Sequence, residues 1–230
     1  MTVGELLSDR LPVTVMLAVI SLLMILICSV PLGLLCARGA GGVLDHAVNQ
    51  ILQTVMAVPS FFLGILLTYA FGLVLHWFQP GQFVEPSESF FGAASYLVFP
   101  ALAVALPKIA MVVKFLRNAV LSELSKDYVR TAKSRGNSSR RILYVHVLKN
   151  AMIPVITFTA MVVAEILAGS IIVEQVFSVP GVGRLLISSI FNRDYPVVQA
   201  IVMYITLVVV AVNFLVDFMY QLLDPRVRTS

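Results

Sequence analysis

The ionisable residues of this 230-residue chain are few, and most of its cations lie in one block. Nine of the sixteen lysines and arginines fall between Lys114 and Lys149, a stretch that lies between two long apolar runs. Cations at that density can bind carboxylates or phosphates and can orient a protein partner by charge. We therefore interpret this stretch as the part of the chain that meets something outside an apolar environment.

The remaining reactive residues do not form a catalytic pattern. The histidines His46, His76 and His146 are too scattered to make one metal site, and Cys28 and Cys36 have neither metal-ligand nor redox spacing. The G-x-x-x-x-G-K-[ST] sequence that cradles nucleotide phosphates is absent. We predict a protein that is not an enzyme and binds no metal or cofactor itself.

The composition indicates an integral membrane protein. Hydrophobic residues make up 59% of the chain and charged residues 12%, whereas soluble domains carry about 25% charged residues. A spanning helix needs roughly 20 mainly apolar residues. Five runs meet that length, about 11–37, 51–75, 96–116, 151–173 and 195–223. We predict an all-α, polytopic transmembrane helical bundle that forms a single domain over residues 1–230.

The charge distribution predicts the orientation of the bundle. The positive-inside rule explains the net charge of +4 better than nucleic-acid binding does. It places the basic loop 117–150 in the cytoplasm, together with Arg226 and Arg228 near the carboxyl terminus. The loops 76–95 and 174–194 are then external, and the amino terminus faces out.

Proline, glycine and capping residues predict where the helices start, bend and end. Proline is tolerated in a first turn, so the first span is expected to start near Leu11, and three glycines end it within 38–42. Pro59 predicts a kink in the second helix. Asn192 or Asp194 can cap the fifth span.

Residues 117–135 predict an amphipathic surface helix. Its apolar face carries Leu121, Leu124, Tyr128 and Ala132, and its polar residues are Glu123, Lys126, Asp127, Arg130 and Lys133. Gly136 suits the left-handed position after a helix, and Ser138 or Ser139 can cap a second helix that carries Ile142, Leu143 and Val147. The prediction is a helix, a glycine hinge and a helix outside the bilayer. A helix lying on the lipid surface would give a similar pattern.

Three ionisable residues fall within or beside the predicted spans. Glu165 lies near the middle of span four, where such a residue faces a cavity or a partner; the alternative is a structural hydrogen bond to a neighbouring helix. Lys108 either reaches the membrane surface or lines a polar cavity. Asp217 is expected to pair with a basic loop residue or to meet interfacial water.

The basic block resembles the EAA loop of permease subunits from ATP-binding-cassette (ABC) importers. The segment 127–132, DYVRTA, followed by Gly136, is similar to the peptide and nickel branch of that family. Further matches occur in the family's order at Asn150-Ala151 with Pro154, Gly169-Ser170, Val173-Glu174, Val176-Phe177, 180–184, 193–196 and 224–226. They cover essentially the whole chain, and the resemblance is to the first of the two sister permeases.

The sequence departs from the family's pattern in two ways. Thr131-Ala132 replaces the double alanine of the EAA consensus, and residues 146–149 replace its Ile-x-Leu-Pro ending, keeping Leu148 but not the proline. Permeases of this branch usually begin with an additional spanning helix and an external segment, whereas Met1 here stands just ahead of what would be the second span.

The resemblance implies a type I importer permease in the inner membrane. Such a subunit pairs with a sister permease, is driven by two cytoplasmic ATPases that use ATP and Mg²⁺, and receives short peptides or nickel from an extracytoplasmic binding protein. The implied ATPase-coupling residues are Leu124, Asp127, Tyr128, Arg130, Thr131, Ala132, Lys133, Gly136, His146 and Leu148. The expected translocation-path residues are Glu165, Ser170 and Glu174. The expected external gate comprises Pro180, Gly181, Gly183 and Arg184.

Two other classes of function remain open at this stage. A self-contained secondary transporter or channel would show more intramembrane charge, internal repeats or broken helices at matching positions in two halves. A membrane scaffold that recruits a soluble enzyme would share the docking loop but would need neither Glu165 nor kinked spans.

Overall fold

The computed structural model describes residues 2–223, apart from the side chains of Ala168, Val216, Asp217 and 219–223. Every regular element in that part of the chain is helical. The elements are α1 (Val3–Arg38), α2 (Val43–Ala57), α3 (Ser60–Leu67), α4 (Phe90–Leu124), α5 (Asp127–Ser134), α6 (Ser139–Arg141), α7 (Leu148–Val176), α8 (Val182–Phe191) and α9 (Tyr195–Leu223). Predictions on Asp217 and on residues 224–230 lie outside the described residues.

The predicted all-α membrane fold is confirmed. Within the described residues, four helices are long and apolar enough to cross a membrane, and a bent pair of helices supplies up to one more span. The four are α1, α4, the helix that begins with α6 and continues into α7, and α9. The bent pair occupies the second apolar run of the sequence.

Helix α4 is the centre of the bundle, with α1, α2, α3 and α7 packed around it. Its buried residues include small ones such as Ala101, Ala105 and Ala110. Small side chains let helix backbones approach closely, which is how helices pack where lipid removes the hydrophobic drive between them. Because α4 is central, its polar residues contact surrounding helices such as α2 and α7, as described below.

The first helix starts earlier than the proline suggested. Helix α1 begins at Val3, and a capping box joins Thr2 and Glu5: the Glu5 amide donates to the Thr2 hydroxyl, and the Thr2 amide donates to the Glu5 carboxylate. This pair satisfies free amides of the first turn. Pro12 therefore lies inside the helix rather than at its start.

The predicted break at Pro59 is confirmed and is sharper than a kink. Val58 has an extended backbone, as expected of a residue before proline. The axes of the two segments, Val43–Ala57 and Ser60–Val74, differ by 99°. Helix α3 continues as a π-helical stretch over Thr68–Val74. Helices α2 and α3 thus lie nearly perpendicular to each other.

The predicted surface helix over 117–135 is wrong in its first half. Residues up to Leu124 continue α4, because side chains such as Leu116 and Val120 remain buried in the bundle. Only α5 is a separate helix in this region. The second predicted helix is also not isolated, since α6, a π-helical segment (Ile142–Val147) and α7 follow one another without a break.

Candidate functional site

Helix α5 ends in a turn that favours glycine. Gly136 has φ +79°, in the left-handed region that residues with a side chain rarely adopt. Its amide donates to the Lys133 carbonyl at 2.9 Å, and the Asn137 amide donates to the Ala132 carbonyl at 3.3 Å. This pair of bonds is a Schellman motif. Ser138 then caps α6 by accepting from the Arg141 amide, so the predicted glycine hinge and cap are confirmed.

The inner face of α5 packs against the chain's own core. Val129 is buried, and Leu124, Tyr128 and Ala132 pack against the same core cluster. The Tyr128 hydroxyl donates to Glu123 at 2.8 Å, and burial raises the pKa of Tyr128. Leu124, Tyr128 and Ala132, which the sequence analysis named as coupling residues, are half-buried and pack partly against the chain's own core. Their coupling role stays a prediction.

The outer face of α5 is charged and open. Asp127 and Arg130 form an ion pair at 3.6 Å with side chains that are 95% and 81% exposed. Thr131 and Lys133 are exposed as well. Exposed pairs of this kind contribute little to stability. Two other predicted coupling residues are less exposed than those on the outer face of α5. His146, in the π-helical segment, is half-buried, and Leu148, the first residue of α7, packs against the core.

A buried ion pair joins α2 to α4. The Asp45 carboxylate, in the first turn of α2 and ahead of the predicted span 51–75, accepts from Arg117 of α4 at 2.7 and 2.6 Å. It also accepts from the Gly41 amide and from Asn49. The Arg117 bond and the Gly41 amide lower the pKa of Asp45 to about 2. Sequence reasoning missed this pair, because Arg117 was assigned to a surface helix.

The two ionisable residues predicted within spans three and four lie together. Lys108 of α4 donates to Glu165 of α7 and forms an ion pair with it. The Lys108 side chain is 20% exposed and that of Glu165 is 52% exposed. The sequence analysis treated Lys108 and Glu165 separately, whereas the structure joins them in one contact. The contact links neighbouring helices, and the Glu165 carboxylate remains open on its other side.

The carboxylate of Glu174, near the end of α7, caps α8. It accepts from the Gly183 amide at 2.7 Å and from the Arg184 amide at 3.2 Å. Thr14 of α1 donates its hydroxyl to the same carboxylate at 2.8 Å and accepts from the Val182 amide. Gly181, the residue before α8, has no side chain to do this. One carboxylate and one hydroxyl from other helices therefore satisfy the first turn of α8.

Two glycines make this close approach possible. A Cβ on Gly181 would overlap the Glu174 carboxylate, and a Cβ on Gly183 would overlap the Ile171 Cα. Next to them the Arg184 guanidinium donates to the Ser178 carbonyl at 2.7 Å. The structure thus places Gly181, Gly183 and Arg184, with Pro180 beside them, in one tightly packed turn.

Ser170 and Glu174, which are expected in the translocation path, do not line an open path in this conformation. Both side chains are fully buried. Ser170 donates to the Leu167 carbonyl, and both Glu174 oxygens are occupied by donors within the chain. The cavity beside Ser170, between α1, α7 and α9, is lined almost entirely by apolar side chains. Thr14 was missed, because a lone threonine in an apolar run gives no local signal.

These features define a class of protein: a polytopic helical membrane protein with a short helix at one end whose outer face is charged and exposed. Comparison with known families gives the same answer. The model of the family described as binding-protein-dependent transport system inner membrane component matches residues 29–229.

Curated relatives match nearly the whole chain. AppB of Bacillus subtilis, an oligopeptide transport system permease protein, is 34% identical over 98% of this chain and 72% of its own length. DppB of the same organism, a dipeptide transport system permease protein, is 33% identical over 99% of this chain and 71% of its own. A probable peptide ABC transporter permease of Sinorhizobium fredii, y4tP, is 35% identical over 97% of this chain and 72% of its own.

The chain therefore belongs to the family of inner membrane components of binding-protein-dependent transport systems. It is a multi-pass permease subunit of an ABC importer, and the ATPase of such a system is a separate subunit. Membership also implies, in general terms, a binding protein and a sister permease.

Proposed function

We propose that this chain forms, with a sister permease, the translocation path of an importer of short peptides, and that two ATPases drive it by alternating access. The peptide substrate is supported by relatives at 33–35% identity that are named permeases of peptide, dipeptide and oligopeptide transport systems. No comparable observation favours nickel, which the sequence resemblance had left open.

The observation that carries the coupling role is the construction of α5. Its inner face is packed on the core while its outer face presents Asp127, Arg130, Thr131 and Lys133 to solvent. The helix also joins the ends of two long helices, α4 and the helix that begins with α6. A displacement of α5 by a docked ATPase is therefore transmitted to both.

In this proposal the α5 end of the bundle and the carboxyl terminus are cytoplasmic, as the positive-inside rule favours. The α8 end then faces outward, where the binding protein delivers substrate. The turn of Pro180, Gly181, Gly183 and Arg184 forms part of the external gate. Because its polar groups are satisfied internally, we expect this turn to move as a rigid unit.

Glu165 is the residue that we assign to the translocation path. A half-exposed carboxylate near the middle of a span is costly against lipid and is tolerated where it meets water or protein. With Lys108 beside it, the path would carry a pair of opposite charges rather than a lone anion.

The test is Gly136→Val in the complete importer. Valine resists the left-handed conformation at a cost of roughly 1–2 kcal/mol, and nothing lies within 4 Å of the added Cβ. We expect the complex to assemble and to hydrolyse ATP while peptide uptake falls severalfold. The measurement is the number of peptides imported per ATP hydrolysed. Normal uptake by this variant would contradict the coupling role.

Gly41→Val is the matched control. Gly41 has φ +80° and the same open space around its Cβ, but it lies in the turn between α1 and α2. The Gly41→Val substitution imposes the same backbone strain without reorienting α5. The number of peptides imported per ATP should therefore stay near normal. Gly136→Asn should also be close to normal, because asparagine tolerates the left-handed conformation.

A further inference from the structure

The ion pair of Lys108 and Glu165 lies at the middle of an antiparallel helix interface. Lys108 is close to the midpoint of α4 (Phe90–Leu124), and Glu165 lies in the second half of α7 (Leu148–Val176). Both positions are far from the helix ends, where a lysine can extend its charge to the membrane surface. The pair is therefore placed at membrane depth rather than at the headgroups.

Two uncharged contacts close the same interface on either side of the pair. Toward α8, the Tyr96 hydroxyl donates to the Phe177 carbonyl at 2.6 Å. Toward α5, the rings of Phe115 and Phe158 stack with centroids 4.3 Å apart. Phe115 follows the lysine by two helical turns, roughly 10 Å. The ion pair thus lies between two uncharged contacts of the same helix interface.

The ion pair lies beside an exposed stripe of α7 that comprises Met161, Glu165 and Ile172. Glu165 is 52% exposed, and Met161 and Ile172 on the same stripe are 56% and 50% exposed. Apolar residues can face lipid, but a half-exposed carboxylate among them is expensive there. This part of the stripe is therefore suited to water or to another subunit. The Lys108 contact involves Oε2 of Glu165, and Oε1 accepts no hydrogen bond from the described residues.

The geometry points to the Lys108–Glu165 pair as the site in the translocation path that recognises the charged termini of a peptide. This inference rests on the proposed function. A free peptide carries an ammonium group and a carboxylate. Its ammonium can bind Glu165 and its carboxylate can bind Lys108, so that two ion pairs replace one. When no peptide is present, the pair neutralises itself, and neither charge is left alone at membrane depth.

The same arrangement is unsuited to a bare divalent cation. A metal ion that approached Glu165 would meet the Lys108 ammonium, which is in contact with that carboxylate. Like charges at contact distance repel by several kcal/mol at the effective dielectric of a protein surface. A zwitterion finds a partner for each of its charges. The pair therefore favours peptides with free termini over nickel ions.

The experiment measures initial uptake of three probes by the complete importer in liposomes with ATP. The probes are alanyl-alanine, N-acetyl-alanyl-alanine and alanyl-alanine amide. The ratio of free to acetylated peptide gives the preference for an ammonium, and the ratio of free to amidated peptide gives the preference for a carboxylate. The same binding protein delivers each probe, so its own selectivity cancels when a variant is compared with the unmodified importer.

Each charge should control one preference. We expect Glu165→Gln to lower the ammonium preference about tenfold and Lys108→Met to lower the carboxylate preference by a similar factor, since a charged hydrogen bond is lost in each case. Each variant should leave the other preference within about twofold. If both variants slow all three probes by the same factor, the pair is only a structural link between α4 and α7, and the inference is wrong.

Variants that keep both charges test the inference even if the charge-removing variants prevent assembly of the importer. Glu165→Asp and Lys108→Arg keep both charges but change their reach, and they should shift the same two preferences by about threefold. Unchanged preferences in these assembled complexes would overturn the inference. Lys114→Met is the matched control: it removes a lysine of α4 six positions away, on another side of the helix, and should change neither preference.

The inference and the proposed function fail in different ways. ATP-dependent uptake of alanyl-alanine with preferences that none of the variants alters contradicts the inference alone. Absence of ATP-dependent uptake of all three probes by the unmodified importer contradicts the proposed function, and the inference with it.

Discussion

The two ends of the long helix that contains α7 differ in whether their polar groups are bonded within the chain or exposed to solvent. At the α8 end, Glu174 is fully buried and accepts hydrogen bonds from Thr14, Gly183 and Arg184. At the other end, α5 keeps only its inner face packed, and Asp127 and Arg130 pair at 3.6 Å in full contact with solvent. One end has its polar groups satisfied within the chain, whereas the other presents them outward.

This difference implies that the α8 end contributes to folding stability, whereas the outer face of α5 is available for contact with a partner. Buried polar groups that are fully paired make a region rigid, and each one left unpaired is costly. Exposed charges contribute little to stability but are available to a partner. We therefore expect changes at the α8 end to affect folding first, and changes on the outer face of α5 to affect coupling with little effect on folding.

The largest loss of stability is expected for Glu174→Ala. It leaves the Thr14 hydroxyl and the amides of Gly183 and Arg184 without their acceptor, and each buried unpaired donor costs about 1–3 kcal/mol. We expect the apparent Tm of the detergent-solubilised complex to fall by many degrees. Glu174→Gln, which keeps one acceptor oxygen, should lose less. Equal thermal stability of the two variants would show that the hydrogen bonds do not hold the turn.

Gly183→Ala should be the next most damaging change. Its Cβ would overlap the Ile171 Cα, a backbone atom that cannot turn away. Overpacking of this kind costs about 3 kcal/mol. Gly169→Ala is the control on α7, because nothing lies within 4 Å of the Cβ that it adds. A Tm for Gly183→Ala as high as that of Gly169→Ala would contradict the close approach of α7 and α8.

Asp45→Asn tests the ion pair between α2 and α4, and its effect on stability depends on pH. The pKa of Asp45 is lowered to about 2 in the folded protein, from 3.8. The carboxylate therefore contributes stability that is present above about pH 4 and is lost as the pH falls toward 2. The Tm difference between the unmodified protein and the Asp45→Asn variant should be widest at pH 5 and above and should narrow on acidification. In an Arg117→Met background, a difference of unchanged size would refute the pair as its source.

The smallest effect on stability is expected for Arg130→Ala. The side chain is 81% exposed and its ion pair is open to solvent, so the free energy of unfolding should change by less than about 0.5 kcal/mol. Peptide import per ATP hydrolysed should nevertheless fall, because in the proposed function this charge helps to orient the ATPase. A variant with normal coupling would remove Arg130 from the docking surface. A variant with a large loss of Tm would break the contrast between the two ends.

Local signals in the sequence identified several features correctly. The Pro59 break, the left-handed Gly136, the Ser138 cap and the capping of α9 by Asp194 are all present. Each depends on backbone chemistry within a few residues. The errors arose where a signal was read without its surroundings: α1 starts at Val3 instead of Leu11, and α4 extends to Leu124.

The pairings between distant residues were not available from the sequence. Asp45 meets Arg117, Lys108 meets Glu165, and Thr14 meets Glu174 only after the helices pack. Glu174 shows the consequence most clearly. The charge distribution and the family resemblance placed it in an external loop and in the translocation path, whereas the fold makes it a buried cap for α8.

By itself the sequence determined the class of protein, the apolar helices and the position of the basic segment, because hydrophobicity, helix breaking and charge density are properties of consecutive residues. The tertiary structure decided which charges are neutralised within the chain and which face outward. That choice depends on how α1, α4, α7 and α8 approach one another, and no stretch of neighbouring residues contains that information.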